Sequence, residues 1–236
     1  MKNLLLATIV FSSVVGNANA SAPIAYGDRV NGNDFYAQVT SQILFKQGGG
    51  VYSCTGSLIN STHILTAAHC ADGTDYKVSF PATGEKYSYT VTNVVKHPEY
   101  RSKSGNNDLA ILTLGQAVNR SSYAVLSDVP VVAKDDVTVV GYGGIEGEKT
   151  NTTGGLFKSQ SGKVSVIAVE NGFIKYKPSY GACHGDSGGP LFNSKNELVG
   201  AVHGGTNCGS MSSWKKNIEL DTELRPLLKE WIVNNS

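Results

Sequence analysis

The sequence predicts an all-β protein, a sandwich or a barrel with a single helix at its C-terminal end. Three observations carry that prediction. Short β-branched and aromatic runs recur along the chain, clusters of Gly, Asn, Asp and Ser separate them, and only the last stretch has helical spacing.

The runs cover residues 42–45, 57–60, 87–95, 109–114, 137–140, 163–169, 173–177 and 198–202. Their length and composition are those of strands, and helical patterns do not alternate with them. Gly48-Gly49-Gly50 and the stretch 141–155 read as flexible surface loops. A break near residues 121–130 divides the body into halves of similar length. Leu224, Leu227, Leu228, Trp231 and Ile232 fall at i, i+3, i+4, i+7 and i+8, so they share one helical face. Asp221 or Thr222 is the expected cap, and Pro226 is compatible only with the first turn, where its missing N–H costs nothing.

With 236 residues, 40% of them hydrophobic, the chain can bury a core as one body. Lys2 precedes an apolar run over residues 4–15, and Ala18-Asn19-Ala20 follows with the small residues of a signal-peptidase site. A membrane-spanning helix needs about 20 apolar residues, whereas Ser12, Ser13 and Gly16 break this run. Residues 1–20 are therefore read as a cleaved secretory signal, and the protein as secreted, extracellular and free of a membrane partner. Of the 20 basic and 19 acidic residues, Lys2, Arg29 and Asp28 lie within residues 1–29, which leaves 18 of each sign in the body. That balance argues against a nucleic-acid partner, because phosphate neutralisation needs a basic surplus.

Cys54, Cys70, Cys183 and Cys208 in an exported chain read as two disulfides. Three pairings are open, and nearness in sequence favours Cys54 with Cys70 and Cys183 with Cys208. No Cys-x-x-Cys pair is present and no two histidines are three to five residues apart, so neither a metal nor a cofactor is expected.

Ser187 lies in Cys183-His184-Gly185-Asp186-Ser187-Gly188-Gly189-Pro190, where three glycines let the backbone approach a substrate closely. Alone, that stretch is also what a tight turn looks like. Thr66-Ala67-Ala68-His69-Cys70 and Asn107-Asp108-Leu109-Ala110 supply a base and an orienting carboxylate to go with the nucleophile. The three segments resemble the histidine, aspartate and serine signatures of chymotrypsin-like (trypsin-like) serine proteases, in that family's chain order. Gly56-Ser57-Leu58-Ile59, Lys96-His97-Pro98, Gly141-Tyr142-Gly143 and the terminal helix agree, and the resemblance covers residues 30–236.

The resemblance implies two six-stranded antiparallel β-barrels, about residues 30–125 and about 126–236, with the C-terminal α-helix at the end of the second and the active site between them. It implies a monomeric serine endopeptidase acting on protein or peptide substrates. His69 is then the base, Asp108 its orienter and Ser187 the nucleophile, with the backbone N–H groups of Gly185 and Ser187 receiving the oxyanion. His63 and His97 lie outside these signatures and read as structural.

In the resembling family the carboxylate before the nucleophile, here Asp186, pairs with an amino terminus released by proteolysis, since a buried charge needs a partner. By that pattern residues 21–29 are a propeptide, and an activating protease cuts after Arg29 to free Val30. Asn31 and Asn33 depart from the segment usual there. The family's substrate pocket, carried over by position, falls on Gly181, Ala182, His184, His203, Gly204 and Gly205. Gly181 stands where Arg- or Lys-specific members carry Asp, so cleavage after basic residues is not expected. His203 replaces a serine that usually supports the aspartate, and Gly204 replaces a tryptophan. His203 either bonds Asp108 or, shifted by one residue, enters the pocket with His184, where it favours an acidic P1; the alternative is a small or apolar P1, towards which the reading leans.

Two other classes compete. A catalytically inactive homologue serving as a binding or regulatory module usually lacks a triad residue, and all three are present here. An α/β-hydrolase esterase would run Ser, Asp, His along the chain, the reverse of this order.

Overall fold

Asp34 starts the ordered fold by capping a short helix, its carboxylate accepting the Tyr36 N–H. The structure, a computed structural model, describes residues 24, 27–143, 155–159, 164–176, 182–204 and 219–236. Strand β1 (Asp28–Val30) and helix α1 (Phe35–Val39) are followed by β2 (Thr40–Gln47), β3 (Gly50–Leu58), β4 (His63–Thr66), β5 (Thr74–Ser79), β6 (Tyr89–Lys96) and β7 (Ala110–Leu114). Strands β2 to β7 close into an antiparallel barrel in the order β2-β3-β4-β7-β6-β5.

The second half carries β8 (Thr138–Gly141), β9 (Leu156–Lys158), β10 (Val166–Glu170), β11 (Phe173–Tyr176), β12 (Pro190–Phe192), β13 (Leu198–Gly204), β14 (Glu219–Glu223) and helix α2 (Pro226–Asn235). With β1 these strands form an eight-stranded sheet in the order β1-β9-β8-β12-β13-β14-β11-β10. The all-β class, a closed six-stranded barrel and a C-terminal helix thus agree with the sequence. Pairing that would close the second half into a barrel is not seen among the described residues.

Two local expectations are corrected. Gly48 and Gly49 form a tight hairpin turn rather than a flexible loop: both have positive φ, +54° and +85°, and Gln47 pairs with Gly50. Helix α2 is not capped by Asp221 or Thr222, which belong to β14; Arg225 is the N-cap and Pro226 takes the first helical position. Proline suits that position because its φ is already helical and no N–H is asked of it.

Three apolar clusters organise the interior. Ile43, Leu58, Ile64, Val78, Phe80 and Leu112 fill the barrel, and Val139, Ile174, Leu191, Val199 and Val202 line the second sheet. The third lies on the seam. There Val39, Leu65, Leu109 and Ile111 of the first half meet Val140, Tyr142, Phe192 and Ala201 of the second, and Leu224, Leu228 and Ile232 cover them. The helical face read from the sequence is therefore the face that seals the two halves together.

Ile232 is 1% exposed within that seam. Replacing it with alanine should lower the unfolding free energy by about 2–5 kcal/mol. Urea denaturation would read this as a lower midpoint at unchanged slope.

Candidate active site

His69 sits on a single 3-10 turn, Ala68–Ala71, that follows β4. A Cys54–Cys70 disulfide ties that turn to β3. Asp108 lies just before β7, where Asn107 adopts a left-handed φ of +53°. The Asp108 carboxylate has no exposed surface. Its Oδ1 accepts the His69 backbone N–H at 2.9 Å, and its Oδ2 lies 2.6 Å from His69 Nδ1. A third donor arrives from the other half, His203 Nδ1, 2.5 Å from the same Oδ2. Burial pushes the Asp108 carboxyl up, but the hydrogen bonds from His203 and His69, with the charge of His69, outweigh it and hold the group down at about 2.

Ser187 belongs to the turn between β11 and β12, and that turn is fastened to the barrel through Thr55. The Thr55 N–H donates to the Ser187 carbonyl at 2.9 Å, and its hydroxyl donates to the Gly185 carbonyl at 2.8 Å. The same hydroxyl accepts the Tyr142 N–H, while the Thr66 hydroxyl donates to the Thr55 carbonyl. Gly188 has a φ of +77°, and a Cβ there would lie 2.0 Å from Thr66 Oγ1, so no side chain fits. The Ser187 carbonyl oxygen lies 3.7 Å from Cys70 Sγ, which sets the serine turn against the His69 turn. Among the described residues the N–H groups of Gly185 and Ser187 meet no acceptor, and no hydrogen bond joins the Ser187 hydroxyl to His69. Catalytic hydrogen bonds are often long without substrate and tighten around it.

Asp186 is the second fully buried carboxylate. It accepts the N–H groups of Gly143 at 2.6 Å, Cys183 at 2.7 Å and Ile24. Burial dominates, and the carboxyl is pushed up to about 7 despite those bonds. Gly141 and Gly143 wall it in, since a Cβ at either would fall within 2.3 Å of a carboxylate oxygen.

Val30 lies elsewhere in the uncut chain. Val30 pairs with Leu156 in β1 and packs in the seam cluster, six residues beyond the N–H that reaches Asp186. Ile24 occupies that place, with no exposed surface. Gly27 supports the placement, because a Cβ there would lie 2.6 Å from the Lys158 carbonyl oxygen and 2.8 Å from that of Ile24.

The pocket residues separate. Ala182 is buried, His184 is exposed, and a Cβ at Gly204 would meet nothing among the described residues. Gly181, Gly205 and Cys208 lie outside the described residues; Cys183 is disulfide-bonded. Of the two placements open for His203, the bond to Asp108 is the one seen. The cause is a bulge in β13, where Val202 pairs with Asp221 but Gly204 pairs with Leu220, leaving His203 as the extra residue. A bulge re-aims one side chain, and strict alternation cannot anticipate it.

His63 bonds Thr62 and Asn60, and His97 accepts the Glu99 N–H and packs on Trp231 at 4.8 Å. Burial holds both below the usual imidazole range. Thr55 was not picked out from the sequence, because an isolated threonine in a strand carries no chemical signature.

A buried carboxylate orienting an imidazole beside a glycine-bound serine turn, at the seam of a β-barrel and a second β-sheet, defines a chymotrypsin-like serine protease. The chain belongs to the trypsin family, whose model, Trypsin, matches residues 24–220. It is 27% identical to trypsin theta of Drosophila erecta, across 96% of this chain and 93% of that one. It is also 27% identical to chymotrypsin-like elastase family member 1 of Macaca fascicularis, across 88% and 87%. A 28% identical match to phenoloxidase-activating factor 3 of Holotrichia diomphalia covers 69% of this chain but only 59% of that protein's length.

A pH prediction follows from Asp186. The folded chain holds this proton up to about pH 7, whereas an unfolded carboxyl releases it near pH 4. The folded state therefore binds more protons across that window, and stability falls as pH rises through it. The thermal midpoint of the unprocessed chain should drop between about pH 4 and pH 7, and Asp186→Asn should flatten the slope. An unchanged slope in the variant would assign the effect to another group.

Proposed function

We propose that the chain is a secreted serine endopeptidase that hydrolyses peptide bonds through an acyl-enzyme on Ser187. The observation that carries this reading is the 2.6 Å contact between His69 Nδ1 and a carboxylate with no exposed surface, next to the serine turn. An ionised carboxylate only accepts, so Nδ1 carries the proton and Nε2 is left basic. The Ser187 hydroxyl adds to the substrate carbonyl as its proton passes to His69 Nε2, and His69 then returns that proton to the departing amine. Water repeats the sequence on the ester, releasing the acid and restoring the serine. Asp108 holds the tautomer and stabilises the imidazolium without taking the proton itself. The N–H groups of Gly185 and Ser187 receive the oxyanion, a role in which one lost donor costs about 10²- to 10³-fold in turnover.

Secretion through the signal at residues 1–20, a closed second barrel, a Cys183–Cys208 disulfide and a monomeric state complete the reading. Small or apolar P1 residues are favoured over acidic ones, because the bond from His203 to Asp108 leaves His184 as the pocket's remaining imidazole. Basic P1 residues are disfavoured, because Gly181 offers them no carboxylate.

Processing falls at the Pro23–Ile24 bond rather than after Arg29. Two observations support this: the Ile24 N–H already reaches Asp186, and the family match begins at residue 24. Cutting there turns that N–H into an ammonium beside a buried carboxylate. If the leader ends at Ala20, the segment to be removed is Ser21-Ala22-Pro23, and the activating protease is one that cleaves after proline. N-terminal sequencing of active protein should therefore begin at Ile24; a start at Val30 would overturn this assignment.

Digestion of a diverse peptide library by the processed protein, read by mass spectrometry, tests the activity. Cleavage after small or apolar residues is expected, with loss of cleavage in Ser187→Ala. Cleavage mainly after Glu or Asp would assign the pocket to His184. If the protein neither cleaves nor reacts at Ser187 with a small serine-directed probe, the binding-module reading replaces this one.

A further inference from the structure

Arg225 is an unfavourable residue with which to begin a helix. It is the N-cap of α2, a position where a short side-chain oxygen normally accepts a free N–H of the first turn, and it makes no such bond. Its charge stands at the positive end of the helix dipole, and no acidic residue in the first turn offsets it. Its Nε has no hydrogen-bond partner among the described residues. Local rules broken together, with no gain to the element that breaks them, point to a use elsewhere.

That use lies across the seam. Arg225 Nη2 donates to Asn107 Oδ1 at 2.8 Å. The guanidinium lies over Gly172, in the turn between β10 and β11, where a Cβ would come within 3.1 Å of Arg225 Cζ. Asn107 immediately precedes Asp108, and its φ of +53° is one that asparagine tolerates better than most residues. The Asn107 Nδ2 donates to the Glu99 carbonyl at 3.3 Å, and the Asn107 carbonyl accepts the Leu109 N–H at 2.8 Å. Asp108 is therefore the middle residue of a three-residue turn.

The far end of that turn is fixed by packing. Leu109 has no exposed surface, and its carbonyl accepts the His97 N–H at 2.9 Å. The near end is suspended from the second half at two successive residues: Asn106 Nδ2 donates to the Asn171 carbonyl at 2.9 Å, and Arg225 holds Asn107. The Asp108 carboxylate takes its own hydrogen bonds from His69 and His203, so Arg225 acts on it only through the backbone.

We propose that Arg225 is a positioning residue for the catalytic carboxylate: through Asn107 it sets the turn that aims Asp108 at His69, so the first residue of α2 serves the site and not the helix. The proposal rests on the peptidase reading above. A rotation at Asn107 swings the Asp108 side chain, and a shift of about 1 Å in a catalytic group is enough to cost ~10²-fold in rate.

The test measures kcat, KM and the thermal midpoint for the wild type, Arg225→Ser, Asn107→Gly and the double variant, on a peptide found by library digestion. Serine is a favoured cap, and glycine accepts a left-handed φ while removing the side chain that Arg225 holds. Arg225→Ser should lower kcat by roughly 10-fold, with KM within about twofold. Its thermal midpoint should stay within about 4 °C of wild type or rise, because the better cap offsets the lost bond. Asn107→Gly should lower kcat by a similar factor, and the double variant should be no worse than the poorer single one, since both changes remove the same contact.

A kcat within about twofold of wild type in Arg225→Ser overturns the proposal. So does a double variant whose loss is the product of the two single losses, because the residues would then act independently. A kcat loss that comes with a markedly lower midpoint and a raised KM makes Arg225 a merely structural residue and also overturns it. If Arg225→Ser does not fold, Asn107→Gly, which leaves α2 untouched, decides: a roughly 10-fold lower kcat at unchanged KM upholds the proposal, and an unchanged kcat overturns it. A wild-type protein that neither cleaves nor reacts at Ser187 with the serine-directed probe overturns the peptidase reading itself, an outcome distinct from all of these.

Discussion

A carboxylate with no exposed surface sits where the two halves of the chain meet, and the site is arranged around it. Leaving the Asp108 charge unpaired there would cost several kcal/mol, so its environment has to supply donors. The first half supplies two through His69, and the second supplies one through His203. The charge can therefore be satisfied only when both halves are docked, which links assembly of the fold to assembly of the site. The Arg225 guanidinium adds a further tie, holding Asn107, the residue whose left-handed backbone turns the chain into Asp108.

The two buried carboxylates show that burial alone does not fix a protonation state. Asp108 and Asp186 are both fully enclosed, and desolvation is the largest influence on each. Asp108 meets imidazole donors and the charge of His69, and its carboxyl is driven down; Asp186 meets backbone N–H groups, and its carboxyl is driven up. Backbone amides compensate part of a carboxylate's lost hydration, and a neighbouring cation compensates much more. Asp186 is thus a buried carboxylate with no cation beside it among the described residues, and one of the N–H groups that touch it belongs to Ile24.

How much of this was legible in the sequence depended on the kind of signal. Residues whose chemistry is spelled out by their neighbours, such as His69, Asp108 and Ser187, were readable, as were the β class and the face of α2. Strands built from small polar residues were not. Residues 50–56 pair fully with β2, yet Ser53, Cys54 and Gly56 break up Val51, Tyr52 and Thr55, so that no unbroken β-branched or aromatic run marks the strand. Gly56 shows why the composition is tolerated: a Cβ there would lie 2.5 Å from Ile64 Cγ2, so tertiary packing demands the glycine that local propensity would reject. His203 was legible only as a pair of alternatives. Alternation along a strand assumes an unbroken ladder, and the bulge that aims this ring depends on how β13 meets β14, a non-local fact.

The seam between the halves also explains why the serine turn is dense in glycine. Gly188 runs against Thr66, Ala67 and Thr55 of the first half, and Gly189 against the carbonyl oxygens of Val140 and Asp186, at distances that exclude any side chain. Through this contact Thr55 fixes both the Gly185 and the Ser187 carbonyls. The Ser187 N–H shares its peptide plane with the Asp186 carbonyl, which accepts the Gly189 N–H at 2.8 Å, so its direction is set without any bond to the N–H itself. Donors aimed in advance need not reorganise when charge develops on a substrate oxygen, which is where electrostatic stabilisation acts most strongly. Thr55, which touches neither the base nor the nucleophile's hydroxyl in this structure, holds the peptide planes on either side of that one through the Gly185 and Ser187 carbonyls.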